Sequence, residues 1–462
     1  MTPLRYLTFG TGTPDPRALP SRAPICLYGG MLRRACALAL LLAACGGDTN
    51  TSDSASSGAG TGGSSGGAPT TDNPGTTTAG PGTTAELPTT DPGTTAATAT
   101  TGDASTGEPA IDYTQPGPHP VGNARFVVPN GDRDLLVELW YPADATAADA
   151  AAAGHPIADF VPAGPDRDAF DGLLAALSPA GKIGTRLQTR SALDAKPAAG
   201  GPWPTLAFSH CFNCVRFSTF SVAERLASHG FLVAAPDHTG GTLFDDLKGE
   251  GAPIGEDFLK VRTSDISTVL DAVLDPNSTL VPAPLRGLAD PAHVGVYGHS
   301  YGAATSGRVA QDDPRVRAAL PIAAPVENPL FPGTHVADIH VPMLVILAEE
   351  DNSIGKLGNN LIELNFANQN PPARLVRVTD AGHWGFTDIC GLTMGFSAGC
   401  GEGLRQSVPG EPFTYLDIEI GRGIASAYTL AFFDLYLRDN QDAAAYVDAA
   451  DPPAFVAVET RL

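Results

Sequence analysis

Ser300 stands at the centre of Gly298-His299-Ser300-Tyr301-Gly302, a Gly-x-Ser-x-Gly pentapeptide in a chain of 462 residues. The pattern suits a serine that projects from a tight turn. Side chains two positions either side would run into neighbouring backbone, and glycine removes them while tolerating strained dihedrals. The apolar run Ala292-His293-Val294-Gly295-Val296-Tyr297 precedes it and the small residues Ala303-Ala304-Thr305-Ser306-Gly307 follow. That is a strand, a sharp turn and a helix, the setting in which such a serine is presented as a nucleophile. By itself the pentapeptide is a weak signal, because a chain with 52 glycines produces this spacing by chance.

A serine hydroxyl becomes nucleophilic beside a base, and the base needs an acid to orient it. Two later apolar segments, residues 342–347 and 374–378, run into Ala348-Glu349-Glu350-Asp351-Asn352 and Asp380-Ala381-Gly382-His383-Trp384. Ser300, Asp351 and His383 thus follow one another in the order nucleophile, acid, base, each in a loop after a strand. Among ten histidines, His383 is the one in a Gly-His loop after a late strand. Asp351 is the favoured acid. Glu327, after the preceding strand, and the adjacent Glu349 and Glu350 stay open as alternatives, while Asp380 and Asp388 read as solvated loop charges. An oxyanion would be held by two backbone N–H groups, one from Tyr301 and one from the turn Phe208-Ser209-His210-Cys211-Phe212. Trp384, Tyr301 and Phe212 are candidates to line an acyl pocket, although aromatic residues beside core strands more often pack.

These loops need a scaffold. Arg125-Phe126-Val127-Val128, then Asn130-Gly131, then residues 135–142 read as a β-hairpin. Buried strands are expected at 205–208, 231–236, 292–297, 318–323, 342–347 and 374–378. Helices are expected at 170–177, 217–230, 261–274 and 425–437, with a loop or short helix at 144–153. In the third of those helices Ile266, Val269, Leu270 and Val273 share one face. Alternating strands and helices of these lengths predict an α/β fold, a mostly parallel sheet with helices on both faces.

The formal net charge of −22 disfavours nucleic-acid binding and a polybasic grip on lipid. Met31-Leu32-Arg33-Arg34 followed by an apolar stretch at 35–44 fits a signal peptide, being too short to span a bilayer. Leu42-Ala43-Ala44-Cys45-Gly46 resembles a bacterial lipobox, which makes Cys45 the expected lipidation site. Residues 1–30 read as an upstream extension, 31–44 as a lipoprotein signal peptide, 45–115 as a disordered Thr/Ser/Gly/Pro tether and 116–462 as the catalytic domain. The expected location is the outer membrane or cell surface of a bacterium. Cys211, Cys214, Cys390 and Cys400 then remain in the domain, an even set in an exported protein. Two disulfides are expected, with Cys211–Cys214 and Cys390–Cys400 the local pairing among three connectivities.

Phe208-Ser209-His210, Ala227-Ser228-His229-Gly230-Phe231, Ala235-Pro236-Asp237-His238 and Gly298-His299-Ser300-Tyr301-Gly302 together resemble the dienelactone-hydrolase-like and platelet-activating-factor-acetylhydrolase-like α/β hydrolases. Leu139-Trp140-Tyr141-Pro142 and Gly201-Pro202-Trp203-Pro204 fit the opening of the same group. The resemblance implies the α/β-hydrolase fold and a serine esterase acting on carboxylic esters without metal or cofactor. It further implies that Phe212 and Tyr301 supply the oxyanion N–H groups. The chain departs from the group in having Cys211 where glycine is usual and Ser300 where a true dienelactone hydrolase carries cysteine. The expected partners are a small-molecule or lipid ester, with polyesters a further candidate, and the membrane through the anchor; a monomer is expected. A peptidase or lactonase on the same scaffold, or a catalytically silent binding module, are the alternatives.

Overall fold

Asn130-Gly131 closes the first hairpin. β1 (Val121–Asn130) pairs antiparallel with β2 (Arg133–Pro142), Asn130 lies opposite Arg133, and Gly131 takes a φ of +66°. Such a two-residue connection needs a left-handed residue, which glycine adopts without a steric cost. This is a computed structural model that describes residues 111–448 and 452–462. The readings placed on residues 1–30, 31–44 and Cys45, and on the tether up to residue 110, lie outside the described residues.

After the short β3 (Ala192–Leu193) come β4 (Trp203–Ser209), β5 (Leu232–Pro236), β6 (Ala289–His299), β7 (Val316–Ile322), β8 (Met343–Ala348) and β9 (Ala373–Val378). They pair in parallel in the order β5-β4-β6-β7-β8-β9. β10 (Glu402–Leu404) and β11 (Pro412–Thr414) form a separate hairpin, and β12 (Val456–Arg461) closes one edge antiparallel to β9. The main sheet has ten strands in the order β12-β9-β8-β7-β6-β4-β5-β2-β1-β3.

β5 and β8 are buried along their whole length, and β4, β6 and β7 over their C-terminal parts, because both faces are covered. In β8, Leu344 and Ile346 join one core with the helices Phe220–Ser228 and Ile418–Leu437. Val345 and Leu347 join the other with Ile266 and Leu270 of the helix Glu256–Leu274 and Ile362 and Phe366 of the helix Gly355–Asn368. This is the expected α/β-hydrolase architecture.

The differences have local causes. The helix Gly355–Asn368 was not expected, because Gly-Lys-Leu-Gly-Asn-Asn is poor in helix formers; it holds by burying Ile362 and Phe366 on the sheet. β12 is half exposed and carries no long apolar run. The tether was expected to extend to residue 115, yet Tyr113 is buried, its hydroxyl donates to Asp434 at 2.9 Å, and its ring lies 5.2 Å from that of Tyr446. The packed domain therefore begins before residue 116.

One polar cluster lies inside the sheet–helix interface. Arg262 and Asp265 sit fully buried on the sheet-facing side of the helix Glu256–Leu274. Asp265 accepts from Arg133, from Asn130 Nδ2 at 2.8 Å and from His238 Nδ1 at 3.0 Å. With Nδ1 donating, His238 Nε2 accepts the Ser209 hydroxyl at 3.0 Å. The His238 backbone N–H donates to His210 Nε2 at 3.0 Å, and His210 Nδ1 donates to the Cys211 carbonyl at 2.7 Å. Burial, with Arg262 nearby, holds the His238 pKa down to about 4 and that of His210 well below the usual range. Both rings are therefore neutral at pH 7, each donating through Nδ1 and accepting through Nε2.

Two measurements follow from this packing. Tyr113→Ala should lower the urea-unfolding free energy by about 3 kcal/mol, whereas Gln115→Ala should stay within about 0.5 kcal/mol. His238 has a folded pKa of about 4 against about 6.5 unfolded, so the unfolded chain takes up the proton first. Stability should fall as pH drops from about 6.5 towards 4, by on the order of 3 kcal/mol from this group. His238→Asn should be less stable than wild type at pH 7, and the gap should narrow by pH 4.5.

Candidate active site

β6 delivers Ser300 to the middle of the sheet, and the helix Tyr301–Asp312 starts immediately after it. Ser300 holds φ +59° and ψ −122°, a conformation that residues with a side chain seldom adopt. Crowding imposes it. A Cβ on Gly298 would lie 2.1 Å from the Gly302 carbonyl oxygen, and one on Gly302 would lie 1.9 Å from that of Ser209. The turn is pressed against the end of β4 and admits no side chain at either glycine. The Ser300 N–H donates to the Ile322 carbonyl at the end of β7, at 2.8 Å, which aims the hydroxyl out of the sheet.

Asp351 follows β8 and His383 follows β9. His383 Nε2 lies 2.8 Å from Ser300 Oγ, and His383 Nδ1 lies 2.7 Å from Asp351 Oδ2. Asp351 is fully buried and His383 nearly so. The other carboxylate oxygen, Oδ1, accepts the N–H groups of Ser353 at 2.9 Å and Ile354 at 3.0 Å, which turns Oδ2 toward the imidazole. The geometry can take a proton from the serine and stabilise the imidazolium that results.

The residues around this chain of hydrogen bonds fix its loops. His299 Nε2 donates to the His383 carbonyl at 2.8 Å, and its buried ring, held neutral by desolvation, lies 4.8 Å from the His383 ring. The Trp384 N–H donates to Ala398 at 2.8 Å. The disulfide Cys390–Cys400 closes the segment between them, with Cα atoms 6.0 Å apart. Cys211–Cys214 closes the turn after β4, with Cα atoms 5.2 Å apart, so the pairing is the local one.

The alternative acids are engaged elsewhere. Glu327 accepts the Val336 N–H at 3.0 Å and faces His335. Glu350 accepts from Arg405, Gln406 and Ser407, tying down the loop that carries β10 and β11. Asp380 lies 3.7 Å from Arg405. Asp388 is not the solvated loop charge expected from the sequence. It is fully buried, accepts the Ser221 N–H at 2.8 Å and lies 3.4 Å from Arg422, because helix Ile418–Leu437 packs over it.

Tyr301 opens the helix after Ser300, and Phe212 lies in the turn after β4. Neither backbone N–H meets an acceptor among the described residues. Of the three aromatic side chains expected near an acyl pocket, two are packing. Tyr301 is buried with its hydroxyl donating to Gly255 at 2.5 Å, and Trp384 is buried with its ring 4.4 Å from that of Phe396. Phe212 alone of the three is half-buried, edge-on to Tyr301 at 6.0 Å.

Sequence reading quoted Ser209 and His238 as motif residues but missed Arg262 and Asp265, and with them the buried cluster that the four form beside the Phe212 turn. A signal existed: Arg262 and Asp265 are charges on the same helix face as Ile266, Val269 and Val273, where solvation cannot explain them.

Two family descriptions fit the chain: the Dienelactone hydrolase family over residues 191–389, and Platelet-activating factor acetylhydrolase, isoform II, over residues 107–242. Platelet-activating factor acetylhydrolase of Cavia porcellus is 24% identical over 360 residues, covering 70% of this chain and 77% of that protein. Cutinase est2 of Thermobifida alba is 30% identical over 155 residues, covering 34% of this chain and less than half, 44%, of the cutinase. Among solved structures, a ferulic acid esterase from Streptomyces cinnamoneus superposes with a TM-score of 0.53 at 22% identity, over 73% of this chain and 96% of that one, a likeness of fold. The two matches, the parallel sheet and the serine turn at its centre agree: the chain is an α/β hydrolase and a carboxylic ester hydrolase, similar to the dienelactone hydrolases and the platelet-activating factor acetylhydrolases.

Proposed function

We propose that the chain hydrolyses carboxylic esters through an acyl-enzyme on Ser300, with His383 as base, Asp351 as its orienting acid and the N–H groups of Phe212 and Tyr301 as the oxyanion site. One observation carries this reading: a continuous chain of hydrogen bonds, 2.8 Å from Ser300 to His383 and 2.7 Å from His383 to Asp351. As Ser300 Oγ attacks the ester carbonyl, its proton passes to His383 Nε2, and Asp351 balances the imidazolium. The negative carbonyl oxygen faces the two N–H groups, each contributing about 3 kcal/mol to the transition state. His383 then protonates the leaving alcohol. A water molecule, deprotonated by the same nitrogen, releases the carboxylic acid and restores the serine.

Tyr301 and Trp384 are packed and Phe212 is half-buried, so of these three Phe212 is the aromatic side chain we expect an acyl group to meet. The platelet-activating factor acetylhydrolase and the cutinase among the relatives support an ester as the substrate. We further propose that the enzyme is exported and tethered through Cys45, on the strength of the signal and lipobox pattern in the sequence. Retention of radiolabelled palmitate by the wild type and its loss in Cys45→Ser would test this.

A fluorophosphonate probe should label Ser300, and label and esterase turnover should both vanish in Ser300→Ala. A folded wild type that took no label and turned over no nitrophenyl ester would leave a binding module instead. Asp351→Asn should lower kcat by about a thousandfold or more, while Glu327→Gln should stay within about threefold of wild type. The reverse ranking would move the acid to Glu327.

A further inference from the structure

Arg262 is fully buried, and among the described residues no carboxylate forms an ion pair with it. Asp265, one turn along the same helix, is taken up by Arg133 and His238. A guanidinium without a counter-charge in such a place costs several kcal/mol, and that is unusual for a group with no task.

Its contacts run to both segments of the proposed oxyanion site. Nη2 donates to the His210 carbonyl and, at 3.2 Å, to Ser209 Oγ, both in the turn that leads to Phe212. Nε donates to Thr305 Oγ1 at 3.1 Å, and the Thr305 hydroxyl donates to the Tyr301 carbonyl at 3.0 Å. The guanidinium carbon lies 4.9 Å from the centre of the Tyr301 ring and 6.0 Å from that of Phe258. Ser209 Oγ, having accepted from Arg262, can give its proton to His238 Nε2, so the turn is gripped from two sides. Among the described residues Nη1 meets no hydrogen-bond acceptor.

We infer that Arg262 is the positioning residue of the oxyanion site: one guanidinium ties the turn at residues 209–212 to the first helical turn after Ser300 and keeps a positive charge behind the two N–H groups. The inference rests on the ester-hydrolase reading above. The neutral ester carbonyl of the ground state draws little on that charge. The oxygen becomes negative only in the transition state, so the benefit falls on kcat and not on binding.

The test is Arg262→Met and Arg262→Lys in the full chain, with nitrophenyl acetate turnover and hydrogen exchange of the peptide that contains Phe212. Arg262→Met should lose on the order of ten- to a hundredfold in kcat with KM within about twofold, and Arg262→Lys should recover part of the loss. Amide exchange across residues 209–212 should quicken in Arg262→Met. A folded Arg262→Met with wild-type kcat and unchanged exchange overturns the inference, as does a loss confined to KM. If Arg262→Met does not fold, Thr305→Val cuts only the link to Tyr301. It should lower kcat by about three- to tenfold at constant KM, and full kcat there overturns the inference as well. A wild type without esterase turnover would defeat the parent reading alone, because the exchange experiment needs no substrate and still decides whether Arg262 holds the turn.

Discussion

The close approach of two backbone segments at the centre of the sheet governs this molecule. The turn at Ser300 lies against the end of β4 so tightly that neither Gly298 nor Gly302 has room for a methyl group. From that contact follow the positive φ of Ser300, the outward aim of its hydroxyl and the adjacency of Tyr301 to the turn that carries Phe212. Ser300 and the two main-chain N–H groups proposed as oxyanion donors are brought together by strand pairing between β4 and β6. Their geometry is therefore as stiff as the sheet itself, which is what a site acting through preorganised dipoles requires.

The buried histidines divide the labour. His383 has partners on both ring nitrogens that suit proton transfer, with a buried carboxylate on one side and a serine on the other. His210, His238 and His299 are kept neutral by burial; His210 and His238 bond through both ring nitrogens, and His299 bonds through Nε2. His299 holds the His383 loop; His210 and His238 hold the turn after β4. Ser209, His238 and Asp265 repeat the bonding order of Ser300, His383 and Asp351 inside the protein. The same residue types are structural there, since Ser209 is fully buried and no ester can reach it.

The disulfides and the acidic loops work to the same end. Each Cys pair closes a short loop beside the site, one next to Phe212 and the other after His383. Glu350, adjacent to Asp351, secures the β10–β11 segment through Arg405, Gln406 and Ser407, so the neighbouring acids hold loops while Asp351 alone meets the imidazole.

The serine turn, the order of Ser300, Asp351 and His383, the parallel strands and the open choice among acids were all legible in the chain. Glycine spacing, apolar runs and loop chemistry are local, and local physics writes them into adjacent residues. The sequence favoured Asp351 over Glu327, but the contact of Asp351 with His383 was not local, because it depends on which strand end lies beside His383. Nor were the burial of Asp388, the ordering of Tyr113 and the helix Gly355–Asn368, each of which exists only because a distant surface covers it. Arg262 makes the same point most sharply. Its charge on an apolar helix face is written in the sequence but was not read there, and its partners come from the turn after β4 and from the helix after Ser300, 52 and 43 positions away, where only folding sets them around it.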